Sequence, residues 1–326
     1  MNSFFENKHI LIAGGSGFIG NALTRRLVKL GAIVRATYFC RKPEENVDSI
    51  SWVQADLTNA EDCGRVVEGI DIVLMCAAST SGAGEIINSP LNHLTPNLVM
   101  NARMLEAAYT AKVTRFFFIS STCVYPVKGD TPMREDQFLD AHPADVYFVA
   151  GWMKRYTEIL CSTYATRLDP ILPVSVVRPS NIYGPGDKFD WKRSHVTAAT
   201  IRKVLELQNP IIVWGDGENR RDLIYIDDFV EAALRSCSRQ EPYYCVNIGA
   251  GMTVSVNDIL ETALRVAGRK DVEIVYDKSL PQTIRSLNVD TTKLNTELDF
   301  TPSISLSEGI ALTIDWYLRK QPRAFD

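Results

Sequence analysis

The segment DVYFVAGWMKRYTE, residues 145–158, brings a tyrosine and a lysine close together in the chain. The phenol of Tyr147 can exchange a proton with a sugar hydroxyl or ketone while a hydride is transferred. An ammonium one helical turn away would steady such a phenol, but the residue four positions after Tyr147 is Gly151. The segment therefore belongs either to a damaged oxidoreductase site or to one that is assembled differently.

Lys154 is the candidate for the missing ammonium. On a helix it lies about 20° from the azimuth of Tyr147 and about 10 Å further along the axis. Helical side chains lean toward the N-terminus, so we expect the lysine to reach back past Gly151, which leaves room for it, toward the phenol and a cofactor. The alternative is a surface charge beside Arg155. Hydride transfer would then be impaired, and the cofactor would be structural or slowly cycled.

A glycine-rich turn, ILIAGGSGFIGNAL, follows the first apolar strand and opens an amphipathic helix. It satisfies two spacings at once, Gly15-x-Gly17-x-x-Gly20 and Gly14-x-x-Gly17-x-x-Gly20. Glycines permit the tight turn and let the backbone approach a pyrophosphate at the helix N-terminus. Because it lies between a strand and a helix, the turn predicts dinucleotide binding rather than a merely tight turn.

The second strand ends in RATYFCRK, where a carboxylate would bind the ribose of NAD. Tyr38 stands there instead and Arg41 follows, so the sequence favours the 2'-phosphate of NADP, unless Arg41 is a solvated loop charge. Asp56, in QADLT, is a candidate for hydrogen bonding to the adenine amine. A carboxylate near a helix N-cap is an equal alternative for Asp56.

The first 120 residues alternate apolar β-branched strands with helical patterns over 18–30, 59–68 and 94–110. Such alternation predicts a parallel sheet covered on both faces. A helix over 147–164 and a strand in PVSVVRP follow. Beyond residue 180 the elements are shorter, with helices near 196–207, 227–238, 255–267 and 305–319, which indicates a smaller substrate-covering region interleaved with the sheet domain.

Bulk composition restricts the class of protein. The formal net charge of -4 leaves no broad basic surface for nucleic acid. The seven cysteines have no metal-like spacing, so we expect no metal site and reduced thiols. The N-terminus lacks the pattern of a signal peptide and no apolar stretch could cross a bilayer, which predicts a cytoplasmic protein without a membrane partner.

Ser121 and Cys123 follow the buried strand RFFFIS, at the carboxyl edge where ligands bind in open α/β sheets. Together with GGSGFIG, ADLT, CAAS, TPNLVMNARMLEAA, SSTCVYP, RPSNIYGPGDKF, VWGDG and RDLIYIDD, these residues resemble the extended short-chain dehydrogenase/reductase family. Within it the chain is similar to nucleotide-sugar epimerases and reductases of the GDP-L-fucose synthase type, and also to GDP-mannose 3,5-epimerases. The resemblance covers nearly the whole chain.

The resemblance implies an α/β fold, a doubly wound parallel Rossmann sheet over residues 1–180, with a mainly substrate-binding region over 181–326. It implies that Ser121 and Tyr147 are the catalytic hydroxyls, and that Cys123 and His195 are the base and the opposing acid in epimerisation. From the motifs and the resemblance together, the residues expected to contact the cofactor are Gly14, Gly15, Gly17, Phe18, Ile19, Gly20, Tyr38, Arg41, Asp56, Leu57, Ala77, Ala78, Ser79, Asn97 and Pro179. Those assigned to the nucleotide sugar are Asn181, Lys188, Trp214, Arg221 and Arg285.

Thiol and imidazole suit the chemistry that the resemblance implies. Inversion beside a 4-keto group needs a base on one face of the sugar ring and an acid on the other, and both groups titrate near neutral pH. Taken alone, Cys123 would be a small buried residue and His195 the start of a helix. By analogy with the family, helices 94–110 and 147–164 are expected to form a homodimeric four-helix bundle.

Three functions remain in competition. The first is an NADP-dependent epimerase/reductase acting on a GDP-linked 4-keto sugar, with Tyr147 and Ser121 protonating the 4-oxygen. The second is a 4-epimerase or C4 dehydrogenase with tightly bound NAD, in which Cys123 takes no part. The third is a non-catalytic nucleotide-binding relative that kept the fold after losing the lysine at 151.

Overall fold

The computed structural model describes residues 2–40, 49–79, 90–191, 194–280 and 284–320. Its strands are, in chain order, β1 (His9–Ala13), β2 (Ile33–Tyr38), β3 (Ile50–Gln54), β4 (Ile72–Met75), β5 (Arg115–Ile119), β6 (Val174–Pro179), β7 (Asn181–Tyr183), β8 (Ile211–Trp214), β9 (Arg220–Tyr225), β10 (Tyr243–Ile248), β11 (Thr253–Ser255), β12 (Ile274–Asp277) and β13 (Ser286–Leu287).

Its helices are, in chain order, α1 (Asn2–Phe5), α2 (Phe18–Lys29), α3 (Ala60–Val67), α4 (Pro90–Thr110), α5 (Phe148–Thr166), α6 (Val196–Leu205), α7 (Ile226–Cys237), α8 (Val256–Val266), α9 (Thr292–Glu297) and α10 (Leu306–Lys320). Caps fix several of the starts. The Asn59 side chain accepts from the amides of Glu61 and Asp62 at the start of α3, and Ser255 and Asp258 form a reciprocal capping box on α8.

The central sheet has seven strands, all parallel, in the order β10-β6-β5-β4-β1-β2-β3. Strand β5 explains why both faces are covered. Phe116 and Phe118 pack into one apolar cluster, while Phe117 and Ile119 pack into another on the opposite face. A strand that is buried at every position, as β5 is, belongs in the middle of such a sheet. The prediction of a parallel sheet covered on both faces is confirmed.

The second half of the chain adds two small sheets. One joins β11, β9 and β13, with β7 beside β9, and the other pairs β12 with β8. Strand β10 returns to the central sheet and pairs with β6. A division of the chain at residue 180 stays a prediction, because this strand from the second half completes the sheet of the first.

The helix that carries the candidate lysine begins later than expected. Tyr147 is its N-cap residue, with φ -114° and ψ 13°, and it ends a short 3-10 turn over Asp145–Tyr147. The amide of Tyr147 already donates to the carbonyl of Ala144, 2.8 Å away, which is the tighter spacing of a 3-10 turn. Tyr147 therefore lies at the helix entrance rather than on its first turn.

Beneath the carboxyl end of β5 lies a buried ion pair between Arg178 of β6 and Glu158 of α5. Nη2 of Arg178 is 2.6 Å from the carboxylate, and the two side chains are only 2% and 1% exposed. The hydroxyl of Ser120 donates to the same carboxylate. Nη1 of Arg178 donates to the Tyr125 hydroxyl at 2.9 Å and to the Glu135 carbonyl at 2.7 Å. The pair thus connects α5, β6 and the loop after β5.

None of the helices in the described ranges is long and apolar enough to cross a membrane.

Replacing Glu158 with Leu should lower the free energy of unfolding by about 3–5 kcal/mol, because the Arg178 guanidinium stays buried without its partner. Urea unfolding followed by tryptophan fluorescence measures this. Asp136→Leu is the control, since it breaks the exposed pair of Asp136 with Arg134 and should leave the urea midpoint nearly unchanged. Equal urea midpoints for both variants would show that the buried ion pair does not stabilise the fold.

Candidate active site

The glycine turn between β1 and α2 has the geometry of a phosphate cradle. Gly14 has φ +83°, and a Cβ there would lie 2.6 Å from the Cα of Ala77 at the end of β4. A Cβ on Gly20 would overlap the Gly14 carbonyl. Gly17 precedes α2 as its N-cap residue and is exposed. The turn therefore requires glycine and leaves the helix N-terminus open, which fits a dinucleotide pyrophosphate.

The other residues assigned to the cofactor differ in their exposure and in their contacts. Phe18 and Ile19 open α2 and are half-buried, Leu57 is buried, and Ala78 is exposed after β4. Tyr38 ends β2, half-buried, whereas Arg41 lies outside the described residues. Asp56 accepts from the amide and hydroxyl of Thr58, at 2.9 and 2.7 Å. The helix cap itself is Asn59, so Asp56 shapes the loop before it.

Asn97 of α4 holds the backbone that follows β4. Its side-chain oxygen accepts from the Ser79 amide, and its side-chain nitrogen donates to the Ser79 carbonyl, both at 2.9 Å. Asn97 thereby holds Ser79, which lies two residues after Ala77, the neighbour of Gly14 in the glycine turn. Asn97 is 2% exposed, so the described contacts give it a supporting role in the wall of the cleft.

His93, one turn before Asn97, is a site residue that sequence reasoning missed. It is 7% exposed, its side chain hydrogen-bonds the Ser79 backbone, and its Nδ1 has no partner among the described residues. Burial lowers the pKa of this imidazole, the Ser79 bond raises it, and the nearby Lys154 ammonium lowers it. The only available signal was its four-residue spacing from Asn97 on an apolar helix.

Cys123 lies in a single 3-10 turn, Thr122–Val124, directly after the end of β5; we call this segment the Cys123 turn. Ser121 is its N-cap residue, and the Ser121 hydroxyl accepts from the Cys123 amide at 3.2 Å. Both residues are half-buried. Burial raises the pKa of the thiol, whereas hydrogen bonding with Ser121 and the Lys154 ammonium lower it. The turn thus presents a hydroxyl and a thiol together at the carboxyl edge of the sheet.

Gly151 does not leave the space that we expected for a passing lysine. A Cβ at this position would lie 2.5 Å from the Cys123 carbonyl oxygen and 2.5 Å from Cβ of Pro143. Real Cβ atoms do not approach backbone so closely, so α5 and the Cys123 turn meet where residue 151 has no side chain. The expectation of room at 151 is wrong because backbone and proline fill it.

Lys154 instead approaches the end of β5 from the next turn of α5. Its Nζ donates to the Ile119 carbonyl at 2.8 Å and lies 4.7 Å from the centroid of the Phe118 ring. Burial lowers the pKa of this ammonium, and Cys123 is the largest of the neighbours that raise it. Lys154 is therefore half-buried against the end of β5, so the alternative of a simple surface charge is wrong, while its catalytic role stays a prediction.

Tyr147 has a different cationic neighbour. Burial lowers the pKa of the Arg221 guanidinium on β9, and the adjacent Tyr147 phenol raises it. Arg221 is 7% exposed, while Tyr147 is half-buried. The residue one helical turn before Lys154 is Ala150 rather than a tyrosine. Pairing between the Tyr147 phenol and the Lys154 ammonium stays a prediction.

His195 is the N-cap residue of α6 and is exposed. His195 interacts electrostatically with Asp187, a carboxylate that is 7% exposed. Burial raises the pKa of Asp187, and His195 lowers it. No contact between described residues joins His195 to Cys123. The opposition of these two groups across a sugar ring stays a prediction.

The remaining substrate candidates lie on the second half of the fold. Asn181 begins β7 next to the buried Pro179, and Lys188 is half-buried. Trp214 is 54% exposed at the end of β8. Arg285 is exposed and pairs with Asp216 at 2.8 Å. These residues offer a stacking surface and cations, but their contact with a nucleotide stays a prediction. Within the described ranges no group of His, Cys, Asp and Glu could hold a metal ion.

Gly151→Lys recreates the four-residue spacing from Tyr147, yet it should unfold at a temperature several degrees lower and gain no activity, because its Cβ collides with the Cys123 turn. Differential scanning fluorimetry measures the midpoint. Gly64→Lys is the matched control, since this helical glycine of α3 has nothing within 4 Å of an added Cβ. A Gly151→Lys protein as stable as wild type and more active would contradict the prediction.

Comparisons with known proteins agree with this geometry. Residues 10–249 match the NAD dependent epimerase/dehydratase family. GDP-mannose 3,5-epimerase 1 from Oryza sativa subsp. japonica is 31% identical over 95% of this chain and 82% of its own. GDP-L-fucose synthase from Escherichia coli K12 is 26% identical over 98% and 99%.

A solved structure extends the comparison to bound ligands. The structure of MoeE5 in complex with UDP-glucose and NAD has a TM-score of 0.83 and 29% identity, over 96% of this chain and 99% of that one. Its fold and the family match above lead to the same assignment. The chain is an enzyme that belongs to the NAD dependent epimerase/dehydratase family.

Proposed function

We propose that this enzyme is an NADP-dependent epimerase/reductase that acts on a GDP-linked 4-keto sugar. The observation that carries the proposal is the half-buried Cys123 thiol, which follows β5 within one turn of Ser121 and next to Lys154. The relatives named GDP-mannose 3,5-epimerase and GDP-L-fucose synthase support the GDP-linked sugar. Membership in an enzyme family argues against a non-catalytic relative.

The glycine turn of residues 14–20 and the backbone at Ser79 would hold the dinucleotide, which supplies a hydride to C4 of the sugar when bound. The end of β2 supports NADP over NAD, because Tyr38, Phe39 and Cys40 offer no carboxylate to the ribose. His93 hydrogen-bonds the Ser79 backbone, and the Lys154 ammonium acts electrostatically on His93.

Four side chains of the enzyme transfer protons in the proposed reaction. The Cys123 thiolate removes a proton from the carbon beside the ketone, and negative charge develops on the 4-oxygen. His195 returns a proton to the opposite face of that carbon, which inverts it. When C4 is reduced, Tyr147 and Ser121 deliver a proton to the 4-oxygen. Arg221, beside Tyr147, would bind the diphosphate.

A second function is favoured by one observation, the UDP-glucose and NAD bound to MoeE5. In this alternative the enzyme is a 4-epimerase or C4 dehydrogenase with tightly held NAD, and Cys123 takes no part. The ultraviolet spectrum of the purified protein separates the two, because retained nicotinamide supports the alternative and an empty site supports the 4-keto sugar enzyme.

The proposed assembly is a homodimer through α4 and α5. Four large apolar side chains, Phe148, Trp152, Tyr156 and Ile159, follow one face of α5 at helical spacing and are 47%, 36%, 53% and 46% exposed. An apolar stripe of this length on one helix is typical of an interface. A second copy of the chain would cover it by two-fold symmetry. A cytoplasmic location is likewise a proposal.

Incubation with GDP-4-keto-6-deoxymannose in deuterated water should place deuterium beside the ketone without NADPH, and NADPH should then give a reduced sugar. Cys123→Ser should slow the exchange at least about a hundredfold, since a serine hydroxyl is a poor base at neutral pH. Mass spectrometry and proton NMR measure exchange and reduction separately.

The control for this exchange is Cys63→Ser, a buried position in α3 where serine can keep the hydrogen bond that Cys63 donates to the Leu57 carbonyl at 3.2 Å. It should exchange deuterium at the wild-type rate. Reduction without any exchange would assign the enzyme to the alternative function, because Cys123 would then have no task.

Ile159→Arg should convert the dimer into monomers, because two-fold symmetry would bring the two new charges together. Sedimentation velocity measures the mass. Ile212→Arg on β8 is the matched control, since Ile212 is 45% exposed and lies away from α5. A wild-type protein that sediments as a monomer would contradict the proposed assembly.

A further inference from the structure

Lys154 lies close to the base of the Cys123 turn. Residues 151 and 154 are neighbours on the surface of α5, because positions three apart share a helix face. At 151 the helix touches the Cys123 carbonyl itself. At 154 the Nζ is held 2.8 Å from the Ile119 carbonyl, four residues before Cys123. Backbone contact and side-chain contact thus place the ammonium against the segment that carries the thiol.

We propose that Lys154 is a positioning residue for Cys123, and that its ammonium stabilises the thiolate with which Cys123 acts as a base. The inference rests on the proposed function, because it gives the lysine a task in proton removal from the sugar. It gives the ammonium a partner other than the Tyr147 phenol, which lies near Arg221.

The electrostatic surroundings support this role. Burial raises the pKa of Cys123, Ser121 and Lys154 lower it, and Glu158 raises it. Glu158 is already engaged by Arg178 at 2.6 Å, which limits its competition for the ammonium. The other titratable groups that act on Lys154 are Cys161 on α5 and Cys76 after β4, and Lys154 in turn acts on His93 of α4. A cation beside a thiol favours the thiolate.

The proton balance follows from this arrangement. In the free enzyme the Cys123 thiol releases its proton to water, and Lys154 compensates the charge that remains. The thiolate then takes the proton from the sugar carbon, so that the S–H bond forms as the C–H bond breaks and the electron pair moves to the 4-oxygen. His195 gives its proton to the opposite face. Exchange of both groups with water restores the starting state.

The test is the pH dependence of Cys123 alkylation by iodoacetamide in the free enzyme, quantified by mass spectrometry of the peptide that contains Cys123. Lys154→Met should raise the midpoint by about one pH unit or more. Alkylation below the wild-type midpoint should slow about tenfold. Lys154→Arg keeps a charge and should stay near the wild-type midpoint. Lys128→Met is the control, because Lys128 pairs with Asp140 at the surface.

A second measurement separates this role from a purely structural one. Solvent deuterium exchange by Lys154→Met should fall about tenfold in kcat at neutral pH, with the KM for the sugar unchanged, and should recover at higher pH. An alkylation midpoint that is the same in Lys154→Met and wild type would overturn the inference. If the midpoint moves but wild type exchanges deuterium into no keto nucleotide sugar, the proposed function fails and the coupling of Lys154 to Cys123 stands.

Discussion

The Glu158 and Arg178 side chains form a buried ion pair beneath the candidate site, and each makes a further hydrogen bond to a neighbouring residue. A buried ion pair persists only when its remaining donors and acceptors are satisfied. Here Ser120 donates to the carboxylate, and Arg178 donates to the Tyr125 hydroxyl. Ser120 and Tyr125 flank the Cys123 turn on its two sides. The pair therefore fixes both ends of the segment that presents the thiol.

Three residues on successive turns of helix α5 contact the sheet and the Cys123 turn. Glu158 binds Arg178, Lys154 binds the Ile119 carbonyl one turn earlier, and Gly151 touches the Cys123 carbonyl before that. The spacings of four and three residues put all three on one helix face. Since the helix is held against the sheet at 158 and 154, it has no freedom to move away at 151. The glycine is thus a consequence of close packing, and the missing lysine is no sign of decay by itself.

Sequence patterns predicted the parts of the structure that depend on local chemistry. The glycine turn, the alternation of strands and helices, and the buried strand RFFFI each carry their signal within a few residues. The packing at Gly151 could not be predicted in this way, because its neighbours Cys123 and Pro143 come from loops elsewhere in the chain. The surroundings of the His93 imidazole could not be predicted either, because its neighbours Ser79 and Lys154 lie elsewhere in the chain. The expectation that Gly151 leaves room for a passing lysine was wrong, because a glycine in the sequence does not reveal which backbone packs against it.

The proposed reaction has two halves, proton removal and reduction, which use different side chains. Proton removal uses the Cys123 turn and the ammonium beside it, whereas reduction uses the phenol near Arg221 at the entrance of α5. Enolisation needs a ketone that is already present in the sugar and no hydride. Loss of the Tyr147 phenol would therefore affect reduction while proton exchange continues. In the proposed function, which starts from a 4-keto sugar, an earlier oxidation or dehydration of the nucleotide sugar must therefore supply the C4 ketone.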